Sequence, residues 1–131
     1  MCACWRIGPS SAIVLLMAAV LSAADDGFVK WWPRFQAAVK SGDPQAIAAG
    51  ASFPMPWELG PVREVASQDE LARHFDSLFT ADMKRAVATQ KPAKIPEGYM
   101  ITWKARGNEY SLYFHPARGG FVLAGLSEGP P

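Results

Sequence analysis

The amino-acid sequence predicts an α+β domain with helices in its N-terminal half and an antiparallel β-meander at its end. Two observations carry this prediction. Apolar residues recur at helical spacing over residues 28–39 and 71–87, and the last third of the chain alternates in the manner of strands between short turns. Since the helical and strand patterns occupy separate parts of the chain, the helices should pack on a single antiparallel sheet.

Residues 1–24 are predicted to be an export signal peptide. Arg6 is their only charged residue, an apolar run follows from Ala12 to Leu21, and small residues at 22–24 favour cleavage before Asp25. The run is about half of the roughly 20 apolar residues that a membrane-spanning helix needs, so a permanent anchor is the weaker interpretation. We expect residues 25–131 to be one domain, periplasmic or secreted, with no stable membrane anchor after cleavage.

Both cysteines, Cys2 and Cys4, lie in the predicted signal peptide. The alternative interpretation is a soft-metal or redox pair, but Cys-Ala-Cys without further Cys or His ligands cannot complete a tetrahedral site. We therefore predict no metal and no cofactor. An exported chain without cysteine fits a bacterial periplasm better than a disulfide-rich secreted scaffold.

The charge balance bears on the class of partner. Loss of Arg6 leaves the 12 acidic residues matched by an equal number of basic ones. Binding to nucleic acid or to an anionic membrane surface would call for a basic stripe or cluster, and no such cluster stands out. We expect no nucleic-acid partner.

The first predicted helix has an apolar face interrupted by Pro33. Because proline has no amide hydrogen, the helix either begins near Lys30 or starts at an Asp26 cap and bends. The bent helix is favoured, since the apolar face already includes Phe28. That face consists of Phe28, Trp31, Trp32, Phe35, Ala38 and Val39.

A second, short helix should follow Gly42, which ends the first. Asp43 is its predicted cap, Pro44 lies in its first turn and Gly50 at its exit. Prolines then exclude a central strand, so Phe53–Leu59 are predicted as an edge strand or an ordered loop.

A short strand at Val62–Ala66 leads to the next predicted helix. Ser67 and Glu70 form a capping box at its start. Thr80 and Asp82 should break or restart it, and Gln90–Gly98 are predicted as a loop. The apolar positions are Leu71, Phe75, Leu78 and Phe79, then Met83, Ala86 and Val87.

The closing meander has turns predicted at Gly107-Asn108 and at Ala117–Gly120. One face is apolar and should be the core face. The predicted cross-strand pairs are Arg106 with Glu109, Trp103 with Leu112, Ile101 with Phe114, and Leu123 with Phe114.

The other sheet face is too apolar for a solvated surface and too mixed for a core. It is either a plain exposed face or is covered by another element or a second subunit. Met100, Tyr113 and His115 are the candidate interface residues of a possible homodimer. The whole face carries Met100, Thr102, Lys104, Ser111, Tyr113, His115, Val122 and Ala124.

This order of elements resembles the nuclear transport factor 2-like, cystatin-like cone superfamily. The segment "FVKWWPRFQAAVKSGDPQAIAAGASFPM" is similar to the start of its small exported bacterial members, and "SQDELARHFDSLF" and the closing strands follow the same outline. The resemblance implies a cone-like domain over residues 25–131, with N-terminal helices packed on a curved antiparallel sheet. It also implies that a ligand would lie between helices and sheet. The superfamily includes isomerases, dehydratases and binding modules, so fold alone does not choose an activity.

The candidate ligand-binding residues centre on Trp57 and Glu58, whose backbone is fixed by flanking prolines. With Arg63 they would offer a stacking ring, an acceptor and a donor to a small polar or glycan-like ligand. The structural alternative places Trp57 in the core and makes Glu58 and Arg63 an exposed ion pair. His74 and Trp103 complete the candidate set.

No catalytic residue is assigned. His74 could act as a general base, but a packing role is the favoured interpretation, and His115 lies at a strand end without metal-ligand spacing. The sequence therefore predicts a small exported binding or interaction module whose partner is a small ligand or a protein. The alternative is a small-molecule enzyme of isomerase or hydrolase type. A buried carboxylate or histidine in a polar cavity would favour the enzyme.

Overall fold

The computed structural model describes residues 27–59 and 63–130 of the chain. Helix α1 covers residues 27–41 of this part, and α2 spans Pro44–Ala49. The later helices are α3 (Gln68–Arg73), α4 (Phe75–Leu78) and α5 (Ala81–Thr89). The strands are β1 (Met55–Pro56), β2 (Glu64–Val65), β3 (Ala93–Ile95), β4 (Gly98–Ala105), β5 (Asn108–Ala117) and β6 (Gly120–Gly129). The α+β prediction is confirmed, while the predicted signal peptide lies outside the described residues.

Helix α1 runs without a break through Pro33, so the interpretation that it begins near Lys30 is wrong. The turn before the proline is held by tertiary contacts. Phe28 stacks on Tyr99 of β4 with ring centroids 3.8 Å apart, and Trp32 meets Phe114 of β5 edge-on at 5.2 Å. These contacts stabilise helical residues for which local propensity alone is poor.

Helices α2 and α3 begin after Asp43 and Ser67, the two residues predicted as caps, and α5 begins after Thr80, predicted as a break or restart. The Asp43 side chain accepts from the Gln45 amide at 3.0 Å, and Ser67 Oγ accepts from the Glu70 amide at 3.3 Å. Thr80 Oγ1 accepts from the Met83 amide at 3.3 Å and restarts the helix as α5. Side-chain oxygens thus satisfy amides that have no intrahelical partner.

The main sheet is antiparallel, in the order β3-β4-β5-β6. The predicted loop at residues 90–98 is wrong in part, because β3 pairs with β4 there, with Ala93 opposite Met100. Three residues between Pro92 and Pro96 are too few to give a strand pattern in the sequence. A second sheet consists of β1 and β2, with Met55 opposite Val65.

The register of the β4–β5 hairpin differs from the prediction. Its loop residues are Arg106 (φ 53°) and Gly107 (φ 79°), not Gly107 and Asn108. Glycine thereby takes the second position of a two-residue loop that needs positive φ at both positions, as in Asn-Gly turns. The observed pairs are Trp103 with Tyr110, Ile101 with Leu112, and Lys104 with Glu109.

This change moves each predicted partner by two residues, so every side chain stays on its predicted face. The three predicted pairs across this hairpin are wrong, whereas the pair of Phe114 with Leu123 across the second turn is confirmed.

Each of the helices in the described ranges, and the core face of the sheet, contributes to one apolar core. Ile47, Leu71, Leu78, Met83, Leu112 and Phe114 are among its fully buried residues. No charged or polar residue of the described ranges is buried. Within the same ranges, no helix combines the length and the apolar character that crossing a membrane requires.

Tyr110 lies on the core face near the start of β5 and gives a pH-dependent prediction. Its hydrogen bond with the Glu128 carboxylate, and then its burial, raise the pKa of Tyr110 above the ordinary 10.0. Because the folded state holds this proton more tightly, the bond stabilises the fold below pH 10.0 and the stabilisation is lost as pH rises through the raised pKa. In Tyr110→Phe we expect a smaller loss of unfolding free energy on going from neutral pH to above 10.0.

Urea unfolding at several pH values measures this slope. Glu128→Gln is the matched control, since it keeps an acceptor for Tyr110 but removes the charge, and it should flatten the alkaline slope in the same direction. An identical slope in wild type and Tyr110→Phe would contradict the assignment.

Candidate ligand pocket on the outer face of the sheet

The space between the helices and the sheet, where the resemblance implies a ligand, is filled with side chains. Trp57 is fully buried and packs against Phe79 with ring centroids 5.4 Å apart. Trp103 is 9% exposed and stacks on Tyr110 at 5.9 Å. The rings of Trp57 and Trp103 therefore belong to the core, although Trp103 also borders a small cavity of about 110 Å³ beside α5.

A cavity of about 440 Å³ lies on the opposite face of the sheet, which we call the outer face. It is larger than the cavity of about 110 Å³ beside α5, and than two others of about 320 and 250 Å³ in the described part of the chain. We call it the outer-face pocket. Its lining residues are Pro56, Glu58, Glu97, Tyr113, His115, Ala124, Gly125, Leu126 and Ser127.

A β-bulge in β6 shapes this pocket. Phe114 pairs with Leu123 but Tyr113 pairs with Gly125, which leaves Ala124 as an extra residue without a cross-strand partner. A bulge bends the strand and reverses which residues face each side beyond it. Leu126 therefore lies in the core, where sequence alternation alone would put it on the outer face.

The Pro-rich segment 51–58 forms the second part of the pocket by running parallel to the edge of β6. The Ser52 amide donates to the Leu123 carbonyl at 3.0 Å, and the Glu58 amide donates to the Leu126 carbonyl at 3.2 Å. Gly125 permits this approach: a Cβ there would lie 2.9 Å from Pro56 Cγ. The edge-strand prediction for Phe53–Leu59 is thus confirmed for β1.

The polar groups of the pocket come from three segments. Tyr113 of β5 and Ser127 of β6 share a hydrogen bond of 3.1 Å between their hydroxyls. Glu58 Oε1 accepts a hydrogen bond from the Glu128 amide at 3.1 Å, so the carboxylate is attached to the backbone of β6. Glu97 lies in the turn between β3 and β4, and His115 lies two residues after Tyr113 on the same face of β5.

The predicted site residues do not meet in one place. Glu58 lines the outer-face pocket, whereas Arg63 is exposed at the start of the β2 segment and His74 is half-buried between α3 and α4. Tyr113 and His115, predicted as interface residues, line the pocket together with Glu58.

The third predicted interface residue, Met100, is half-buried opposite Tyr113 and lies outside this lining. The homodimer remains a prediction. Sequence reasoning missed Glu97, because it lies in a segment predicted as a loop, and Ser127, because its face depends on the bulge.

The arrangement favours binding through hydrogen bonds and charge over metal coordination. Two carboxylates, an imidazole and a hydroxyl pair line the pocket together with the apolar groups of Pro56 and Ala124. Within residues 27–59 and 63–130, no group of three or more His, Cys, Asp or Glu side chains could hold a metal ion.

No family model, curated protein or solved structure matches the chain. The resemblance to the cone superfamily therefore stays a prediction.

Proposed function

We propose that this chain is an exported binding module that holds a small molecule in the outer-face pocket and does not catalyse a reaction. The observation that carries the proposal is the cavity of about 440 Å³, which falls within the roughly 300–1,000 Å³ usual for small-molecule sites. It also combines apolar surface with a few convergent polar groups, as such sites do.

Burial supports binding over catalysis. The discriminating feature of an enzyme would be a carboxylate or histidine desolvated in a cavity, where its pKa is adjusted for proton transfer. Glu58 and Glu97 are exposed, and His115 is half-buried. The residues that the structure describes include no buried charged group. A small-molecule enzyme of isomerase or hydrolase type is accordingly the alternative proposal.

The first test is native mass spectrometry of the full chain after export in a bacterial host and gentle recovery. We expect extra mass on the folded protein that disappears on denaturation. Ala124→Phe should abolish it, because the ring would occupy the pocket next to the bulge. Val122→Phe is the matched control, since it places the same ring on the outer face at a residue outside the lining.

Circular dichroism establishes that both variants fold, and Ala124→Leu replaces Ala124→Phe should the larger ring prevent folding. A wild-type chain with no adduct, or an adduct that a folded Ala124 variant retains, would contradict the proposed function.

A further inference from the structure

We propose that the outer-face pocket selects a small organic cation, an ammonium group attached to an apolar body. The inference rests on the proposed function and adds the class of ligand. Its starting point is the sign of the charge in the pocket: Glu58 and Glu97 line it, and its described lining contains neither lysine nor arginine. A cation entering the pocket is attracted by two carboxylates, whereas an anion is repelled by both.

Of the two carboxylates, that of Glu58 is held in place by hydrogen bonds. Its Oε1 accepts from the Glu128 amide at 3.1 Å, and its own amide donates to the Leu126 carbonyl at 3.2 Å. Backbone and carboxylate are thus both tied to β6, which lowers the conformational entropy lost when a ligand binds. A carboxylate has about four acceptor positions on two oxygens, so one backbone bond leaves capacity for an ammonium group.

The rest of the pocket fits the organic part of such a ligand. The half-buried Tyr113 lines the pocket together with the apolar groups of Pro56 and Ala124. An aromatic face attracts an ammonium group within about 6 Å of the ring centre. The Tyr113 and Ser127 hydroxyls, 3.1 Å apart, add acceptors for N–H groups.

An organic cation fits better than a bare metal ion for two reasons. The described residues offer no set of three ionisable ligands for a metal, and a cavity of about 440 Å³ leaves room for an apolar body. The pocket also suits a small amine better than a protein partner. Concave cavities of this size are typical of small-molecule sites, whereas a protein partner would present a flat surface.

Three probes of one shape test the charge preference directly: 2-phenylethylammonium, 2-phenylethanol and phenylacetate. Titrations of the full exported chain, followed by NMR chemical shifts, give the affinity for each probe. We expect the ammonium to bind at least about tenfold more tightly than the alcohol at low ionic strength, and phenylacetate to bind most weakly. Added salt should reduce the preference.

Charge-removing variants locate the effect. Glu58→Gln keeps an amide oxygen for the Glu128 amide, and we expect it to weaken ammonium binding about fivefold without changing the affinity for the alcohol. Glu97→Gln should act in the same way. Glu109→Gln is the matched control: Glu109 is on the outer face of β5 but does not line the pocket, so its removal should leave the affinity unchanged.

The outcomes separate the ligand class from the proposed function. Equal affinity for all three probes, each lost in Ala124→Phe, would overturn the cation assignment and leave the pocket in place. Failure of the ammonium to bind, or full affinity in both glutamine variants, would also overturn the cation assignment. Ammonium binding that persists in folded Ala124→Phe would overturn the pocket itself.

Discussion

Replacing Trp57 with alanine is expected to lower the free energy of unfolding by about 3–5 kcal/mol. The indole is fully buried, contacts Phe79 and belongs to the segment that runs along the edge of β6. Its removal leaves a cavity between the sheet and the helices that the surrounding core can fill only in part. A domain of this size has a total stability of about 5–15 kcal/mol, so the loss is large. Urea unfolding monitored by circular dichroism measures it.

Trp57→Phe is the matched control. The indole Nε1 is buried and has no hydrogen-bond partner within residues 27–59 and 63–130, so phenylalanine removes ring volume without breaking a hydrogen bond there. The loss should therefore be clearly smaller than in Trp57→Ala. A Trp57→Ala variant that keeps wild-type stability but loses its bound adduct would contradict the core assignment and restore the predicted stacking site.

The positions of Trp57 and Glu58 in the structure show which part of the candidate site could be predicted from the sequence. In an extended segment, neighbouring side chains point to opposite faces. Once Trp57 enters the core, Glu58 must face away from it, and the structure places Glu58 in the outer-face pocket. The sequence identified the segment, but grouping both residues in one ligand site ignored this alternation.

Local signals predicted the helices well because their causes are local. Ser67 and Thr80 each cap a helix through a bond to a residue three positions later. Sheet faces were also predictable, since alternation identifies a face. The register of the β4–β5 hairpin was not predictable in the same way. The Arg106-Gly107 loop moves every cross-strand pair by two residues from the predicted one, and this leaves the faces unchanged.

The pocket could not be predicted because it depends on contacts between distant segments. The bulge at Ala124 is visible only once β5 and β6 are paired, and it turns Ser127 to the same face as Tyr113. The bond between Glu58 and the Glu128 amide joins residues 70 positions apart. The periodicity of apolar residues reflects neighbours along the chain, so it contains no information about a contact between segments so far apart in sequence.

Replacing Gly98 with alanine is the second large effect that we expect, a loss of about 3–5 kcal/mol in unfolding free energy. Gly98 begins β4 with φ 150°, a conformation that side chains rarely adopt, and an added Cβ would overlap the Phe114 carbonyl oxygen. It would also lie 3.2 Å from His115 Cα. Both contacts are with the backbone of β5, so relief requires separating β4 from β5 where Tyr99 pairs with Phe114. Urea unfolding measures the loss.

Gly107→Ala separates steric overlap from backbone strain. Gly107 also has positive φ, 79°, but an added Cβ would meet nothing within 4 Å. Its substitution should cost only the strain of a left-handed alanine, about 1–2 kcal/mol. The difference between the two variants is then the cost of forcing β4 away from β5. If Gly98→Ala were no less stable than Gly107→Ala, the close approach of the two backbones would be wrong, and with it the position of Glu97 beside the pocket.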